Sequence, residues 1–179
     1  MSDRQQALRD AQAPLKAQYK DRPESAHWTL SARGTLQPAK LACAVDGYNG
    51  AIEAGLHPAT GGDGTQACSG DMLLQALCAC AGVTLTAVAT AMGLDVRGGT
   101  VNAEGDLDFK GTLGVDRAAP VGFTRIRLNF DVDGTLSDDQ RATLLKLTER
   151  YCVVAQTIAQ GSPVAASLTV NGAAAAAAE

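Results

Sequence analysis

Aromatic side chains are scarce in this chain. Phe, Trp and Tyr together make 4% of its 179 residues, although 46% are hydrophobic. A core must therefore be built from Ala, Val and Leu. That much apolar content still excludes disorder as the main state and fits one domain of ordinary size. Positive charge is not concentrated anywhere. Fifteen Lys and Arg are set against nineteen Asp and Glu, for a formal net charge of −4. The chain thus lacks the basic footprint that nucleic acid or an anionic membrane surface requires. The opening Met1–Asp10 has no basic stretch followed by an apolar run, so no secretory signal is expected and the expected compartment is cytoplasmic.

Other signatures are missing as well. The Gly-rich stretch His57–Thr65 lacks a Gly-Lys-Ser/Thr ending and the dinucleotide fingerprint, which excludes the common phosphate cradles. Asp131-Val132-Asp133-Gly134 lacks the spacing and final Glu of a calcium loop. His57, Cys68, Cys78 and Cys80 match no zinc spacing, so no metal or other cofactor is expected. The run Met72–Met92 is long enough to reach across a bilayer. It is interrupted by Gln75, Gly82 and three threonines and has no basic flanks, so a buried soluble helix is expected and no membrane partner.

What is present reads as an α+β order. Residues 1–25 predict a polar helical extension, with Ser2 and Gln5 as a capping box, Pro14 as an interruption and Pro23 as its close. The main domain is expected over 26–172, and 173–179 as a disordered low-complexity tail. His27–Ala32, Leu41–Val45 and Ala51–Ala54 predict short strands, the last two joined by a turn at Asp46–Gly50. Ser69 is placed to cap a helix over about Met72–Ala91 that Gly93 stops. Being apolar almost all round, that helix should be buried on most sides. Val96–Phe109 and Phe123–Val132 predict strands. A capping box of Ser137 with Gln140 opens a second helix, from Asp138 to about Ala159. Leu144, Leu147, Tyr151, Val154 and Ile158 form its apolar stripe. Val164–Val170 predicts a closing strand.

The five cysteines, Cys43, Cys68, Cys78, Cys80 and Cys152, are odd in number, which argues against a secreted disulfide framework. Cys43, within an alternating strand, reads as a small buried hydrophobe. Cys78 and Cys80 lie about 200° apart around a helix, so at most one of them faces any single pocket. Cys152 sits beside the apolar stripe of the second helix. Two thiols on two core helices can meet where those helices pack. A close pair with one solvent-reachable thiol suits peroxide reduction through a sulfenic acid and a disulfide. On spacing alone, buried structural cysteines are the favoured reading of these positions.

Longer motifs separate the two readings. Ser69-Gly70-Asp71-Met72-Leu73-Leu74-Gln75-Ala76-Leu77-Cys78-Ala79-Cys80 resembles the helix-opening motif of the OsmC/Ohr family. Glu149-Arg150-Tyr151-Cys152-Val153-Val154 is similar to that family's second-cysteine motif, and Ala119-Pro120-Val121-Gly122-Phe123 to its strand entry. The likeness runs from about Trp28 to Val170. It implies two long central helices packed with antiparallel sheets in an intertwined homodimer. It further implies a hydroperoxide reductase in which Cys80 is the peroxidatic thiol, Cys152 the resolving thiol and Asp71 the catalytic carboxylate. A small dithiol would be the reductant. Cys78 takes the place of a small packing residue. Two departures stand out. The family's Glu is Asp here, and no Arg occurs between Arg33 and Arg97 to supply the cation that favours the thiolate. That gap keeps a non-enzymatic redox sensor or small-ligand-binding dimer as the alternative.

Overall fold

The computed structural model describes residues 2–170 and 173–174. Helix α1 (Asp3–Asp21) is followed by a four-stranded sheet of β1 (Gly34–Gln37), β2 (Ala42–Val45), β3 (Ile52–Gly55) and β4 (Ala67–Cys68). Then come α2 (Ser69–Met92), β5 (Asp95–Asp106), the single turn α3 (Phe109–Thr112), β6 (Arg125–Thr135), α4 (Asp138–Tyr151), α5 (Val153–Gln160) and the short pair β7 (Thr169–Val170) and β8 (Ala173–Ala174). The strand pairs are antiparallel except β3 with β4. The expected α+β class holds.

The core lies between α2, the inner face of the β5–β6 ribbon, and α4 with α5. Leu77, Ala81 and Cys152 form one buried cluster, flanked by Cys80, Val101, Ala103, Ile126, Leu128 and Val154. Leu85, Ala89 and Leu144 form a second, flanked by Val88, Val96 and Phe130. Period-2 alternation on β5 and β6 turns Val101, Ala103, Ile126 and Leu128 inward. It leaves Glu104, Asp106 and Arg127 to pair across the outer face. Phe123 lies flat over Gly105, whose absent Cβ would come within 2.4 Å of two ring carbons. Gly93 ends α2 with φ +68°, its N–H closing the helix on the Ala89 and Thr90 carbonyls, as Gly does without steric penalty.

Several expectations change. Ser2 accepts the Gln5 N–H, but the Gln5 side chain reaches Ala91 O at 2.9 Å, tying α1 to the end of α2 and leaving the capping box half made. Helix α1 runs through Pro14 without ending there, although an interior proline forfeits one main-chain hydrogen bond. Segment 27–32 forms no strand. Trp28 and Leu30 are exposed there, and an extended segment needs a ladder partner that this chain does not give it. Val164–Val170 contributes only Thr169–Val170 to a strand. Of the tail expected to be disordered, Ala173 and Ala174 pair with β7, and 175–179 lie outside the described residues. Helix α2 starts at Ser69 with Cys68 as its uncapped N-cap, so Ser69 is the first helical residue and not the cap. One face of α2 is covered and the opposite face is open within one chain, with Val83 72% exposed. The burial on most sides expected of α2 is therefore not met within this chain. Helix α2 is the only helix among the described residues long and apolar enough to cross a membrane, and it packs on β5, α4 and α5.

Candidate active site at the α4–α5 elbow

The second helix is not continuous. It breaks at Cys152, which adopts an extended backbone (φ −73°, ψ 105°) and serves as C-cap of α4 and N-cap of α5. Its N–H still closes α4 on Thr148 O at 3.0 Å, and its carbonyl receives the Gln156 N–H at 2.9 Å. Its Sγ accepts the Ala155 N–H at 3.5 Å, the bond that an N-cap side chain makes to the third helical residue. Thr148 is buried one turn above, its hydroxyl donating to Leu144 O at 2.8 Å. Such a bond back to the i−4 carbonyl favours bending of a helix. The break also rotates the apolar stripe. Tyr151, expected in it, is exposed beneath the Arg150 guanidinium, while Val154 and Ile158 reach the core.

The elbow brings Cys152 against Cys80 of α2. Cys152 is wholly buried and Cys80 half-buried. Burial acts to raise the Cys80 thiol. It is outweighed by the Val154 N–H, the Cys152 thiol, the Thr84 hydroxyl and the Val153 N–H, and the net effect is a lowered pKa. None of these groups is a cation. The two amides belong to the first turn of α5, where N–H groups lack helical acceptors and carry the positive end of the helix dipole. They act on the sulfur as directed dipoles and not as close hydrogen bonds. Thr84 also donates to Cys80 O at 2.7 Å, one turn along α2. Cys152 moves the other way. Burial raises its pKa, the Ala155 N–H opposes this, and the neighbouring Cys80 raises it further. As pH rises the first proton lost from the pair therefore leaves Cys80, and Cys152 keeps its own to higher pH.

Cys78 points away from this pair, its Sγ 3.7 Å from Val101 O, consistent with a packing position. Cys68 caps α2 without a side-chain bond, and Cys43 is half-buried on β2. The His57 ring stacks on Phe109 with centroids 5.0 Å apart, and its Nδ1 accepts the Ala59 N–H. Asp71 requires a correction. It is exposed in the first turn of α2 and makes no hydrogen bond or ion pair among the described residues. Because the helix begins two residues earlier, Asp71 is fixed about 13 Å along the axis from Cys80 and on the opposite side. Val153, Val154 and Thr84 were not foreseen, since nothing in the periodicity signals a break at Cys152.

A family model described as OsmC-like protein matches residues 62–167. The chain belongs to the OsmC-like family. Solved structures carry the same fold at low identity. An OsmC-like protein from Mycoplasma pneumoniae superposes with TM-score 0.61 at 17% identity, covering 75% of this chain and 89% of that one. An organic hydroperoxide resistance protein from Elizabethkingia anophelis gives 0.59 at 16%, covering 75% and 91%. A protein from Legionella pneumophila, also described as an organic hydroperoxide resistance protein, gives 0.57 at 16%, covering 73% and 89%. No curated protein matches the chain. Within the OsmC-like match, β5, β6 and the helices carrying Cys80 and Cys152 are all included, whereas α1 and β1–β3 lie outside it.

Proposed function

We propose that this OsmC-like chain is a thiol-dependent hydroperoxide reductase working through Cys80 and Cys152. The observation that carries the reading is the pairing of the two thiols at a helix break, where opposed pKa shifts favour thiolate on Cys80 over Cys152. The Cys80 thiolate attacks the outer oxygen of a hydroperoxide. The O–O bond breaks, and the alkoxide leaves and takes a proton as the alcohol. Cys80 is left as a sulfenic acid. The Cys152 thiol then attacks that sulfur, forming the disulfide and releasing water. A dithiol reduces the disulfide by exchange, returning two thiols and leaving as its own disulfide. Leu77, Ala103 and Ile126 around the pair favour an organic peroxide over a small polar one. The half-exposed Cys80 admits the oxidant, and the wholly buried Cys152 waits beneath it.

The working form is a homodimer in the cytoplasm. The uncovered face of α2 at Val83 and the exposed Trp28, Leu30, Leu36 and Tyr48 support it, since large apolar side chains left in solvent are what a second copy of the chain would cover. The test is intact mass before and after one equivalent of cumene hydroperoxide. The expected result is loss of two hydrogens, absent in Cys80→Ser and in Cys152→Ser. Steady consumption of peroxide with dithiothreitol should accompany it. An unchanged mass in the parent chain, or an equal loss in Cys80→Ser, overturns the reading.

A further inference from the structure

In an unbroken helix the Val153 N–H would bond to the Glu149 carbonyl, four residues back. Here it does not. The Glu149 carbonyl instead accepts the side-chain amide of Gln156, Nε2 to O at 2.8 Å. Gln156 is half-buried, and its own main chain is fixed, with its N–H on Cys152 O at 2.9 Å. Its Oε1 is held by Gln160 Nε2 at 2.7 Å, which orients the amide so that the NH₂ faces Glu149. One residue thus touches both sides of the break, through its backbone on Cys152 and through its side chain on the last turn of α4. The carbonyl that lost its helical donor is satisfied by a substitute, and the Val153 amide is left without an acceptor in its own helix. The Val153 and Val154 amides are the main-chain groups that lower the Cys80 pKa.

We propose that Gln156 is a positioning residue: by replacing the Val153 N–H at the Glu149 carbonyl, it holds the elbow open and keeps the first-turn amides of α5 aimed at Cys80 Sγ. It touches neither sulfur and acts only through the backbone it clamps. Without its amide, the Glu149 carbonyl can recapture the Val153 N–H, the break tends to close, and Cys80 loses the dipoles that favour its thiolate. The inference rests on Cys80 being the reactive thiol, and it deepens that reading by naming what holds its activating groups in place.

The test is the pH profile of Cys80 alkylation by iodoacetamide, followed by peptide mass mapping on the reduced full-length chain. Gln156→Met keeps the length and removes the donor; Gln156→Asn keeps the amide but falls one methylene short of Glu149. Both are expected to slow Cys80 alkylation at pH 7 by about two- to fivefold, the size of a helix-terminus effect on a nearby charge. Both should move the profile to higher pH and leave the limiting rate at high pH unchanged. Thr157→Ala, an exposed neighbour on the same turn whose side chain takes no part in the clamp, should follow the parent chain. Profiles of the two Gln156 variants that overlay the parent overturn the proposal, as does a drop in the high-pH limit with no shift of the profile. No peroxide is used, so a chain that shows the shift yet consumes no hydroperoxide keeps the clamp and refutes only the peroxidase reading.

Discussion

Leu144 and Leu145 are neighbours on α4 with opposite surroundings, and the pair measures how the elbow is seated. Leu144 is 3% exposed, packed in one cluster with Leu85 and Ala89 and against Phe130 and Val132, whereas Leu145 is 46% exposed. Truncating a buried leucine loses its transfer free energy, about 1.5–3 kcal/mol, and leaves a cavity that rigid neighbours fill only in part. The expected cost of Leu144→Ala is about 2–5 kcal/mol. Leu145 has about half its side chain in solvent already, so Leu145→Ala should cost below about 1 kcal/mol. Urea unfolding followed by circular dichroism reads both. With a slope of about 2 kcal/mol per molar urea, the first variant should lose roughly 1 M or more of its midpoint and the second under about 0.5 M. Equal losses, or a Leu144→Ala midpoint within about 0.5 M of the parent, would refute the placement of the α4 core face.

Three further outcomes follow from the charges. Cys80 has a lowered pKa and Cys152 a raised one, so thiolate appears on Cys80 at the lower pH. Peptide mapping across a pH series should find Cys80 alkylated first, with Cys152 following only in alkaline solution; the reverse order refutes the assignment. Asp71→Asn should leave the peroxide-driven mass loss and its rate unchanged, since that carboxylate lies far from Cys80; a clear drop in rate would return it to the site. Arg127 grips Asp106 and holds its carboxyl below the ordinary carboxylate range. With a depressed folded pKa, this pair's contribution is full above the unfolded value and lost as pH falls through the folded one. The acid limb of a stability-versus-pH curve should therefore flatten in Asp106→Asn, and an unaltered limb counts against the pair.

The elements that bury a face were legible in the sequence because burial imposes a period. Val101, Ala103, Ile126 and Leu128 alternate, and the structure makes them one inner surface. The Ser137–Gln140 box was readable because both partners lie within one turn. The segment 27–32 misled because strand propensity does not name a partner, and Trp28 and Leu30 find none within this chain. Helix α2 misled in a related way. Its composition calls for cover on most sides, whereas this chain leaves a face of it at Val83 open. The break at Cys152 left no periodic trace, because Val154 and Ile158 stay apolar and three-four spacing reads straight through it. It is visible only once Thr148, Cys152 and Gln156 are seen to share the bonds that a continuous helix would have made.

That break bears on the missing arginine. A guanidinium beside a thiol favours the thiolate over long range but must be desolvated with it. Aligned main-chain amides at a helix start do part of the same work without a buried cation, and they are fixed in place by the helix behind them. Their effect is smaller, about 0.3–1 kcal/mol in exposed cases and up to about 2 kcal/mol when partly buried, against the one to three pKa units a close cation supplies. Cys80 should therefore be a competent but moderate nucleophile, with more of the demand falling on Cys152 to trap the sulfenic acid quickly. The same turn meets that demand. Cys152 caps α5 through its sulfur, so the thiol proposed to resolve is held by the very helix whose amides favour the Cys80 thiolate. Forming the disulfide redirects that sulfur toward Cys80 and weakens its hold on the Ala155 N–H. The first turn of α5 is then the part of the molecule most altered by oxidation, and its amide exchange should quicken in the oxidised chain while that of α2 does not.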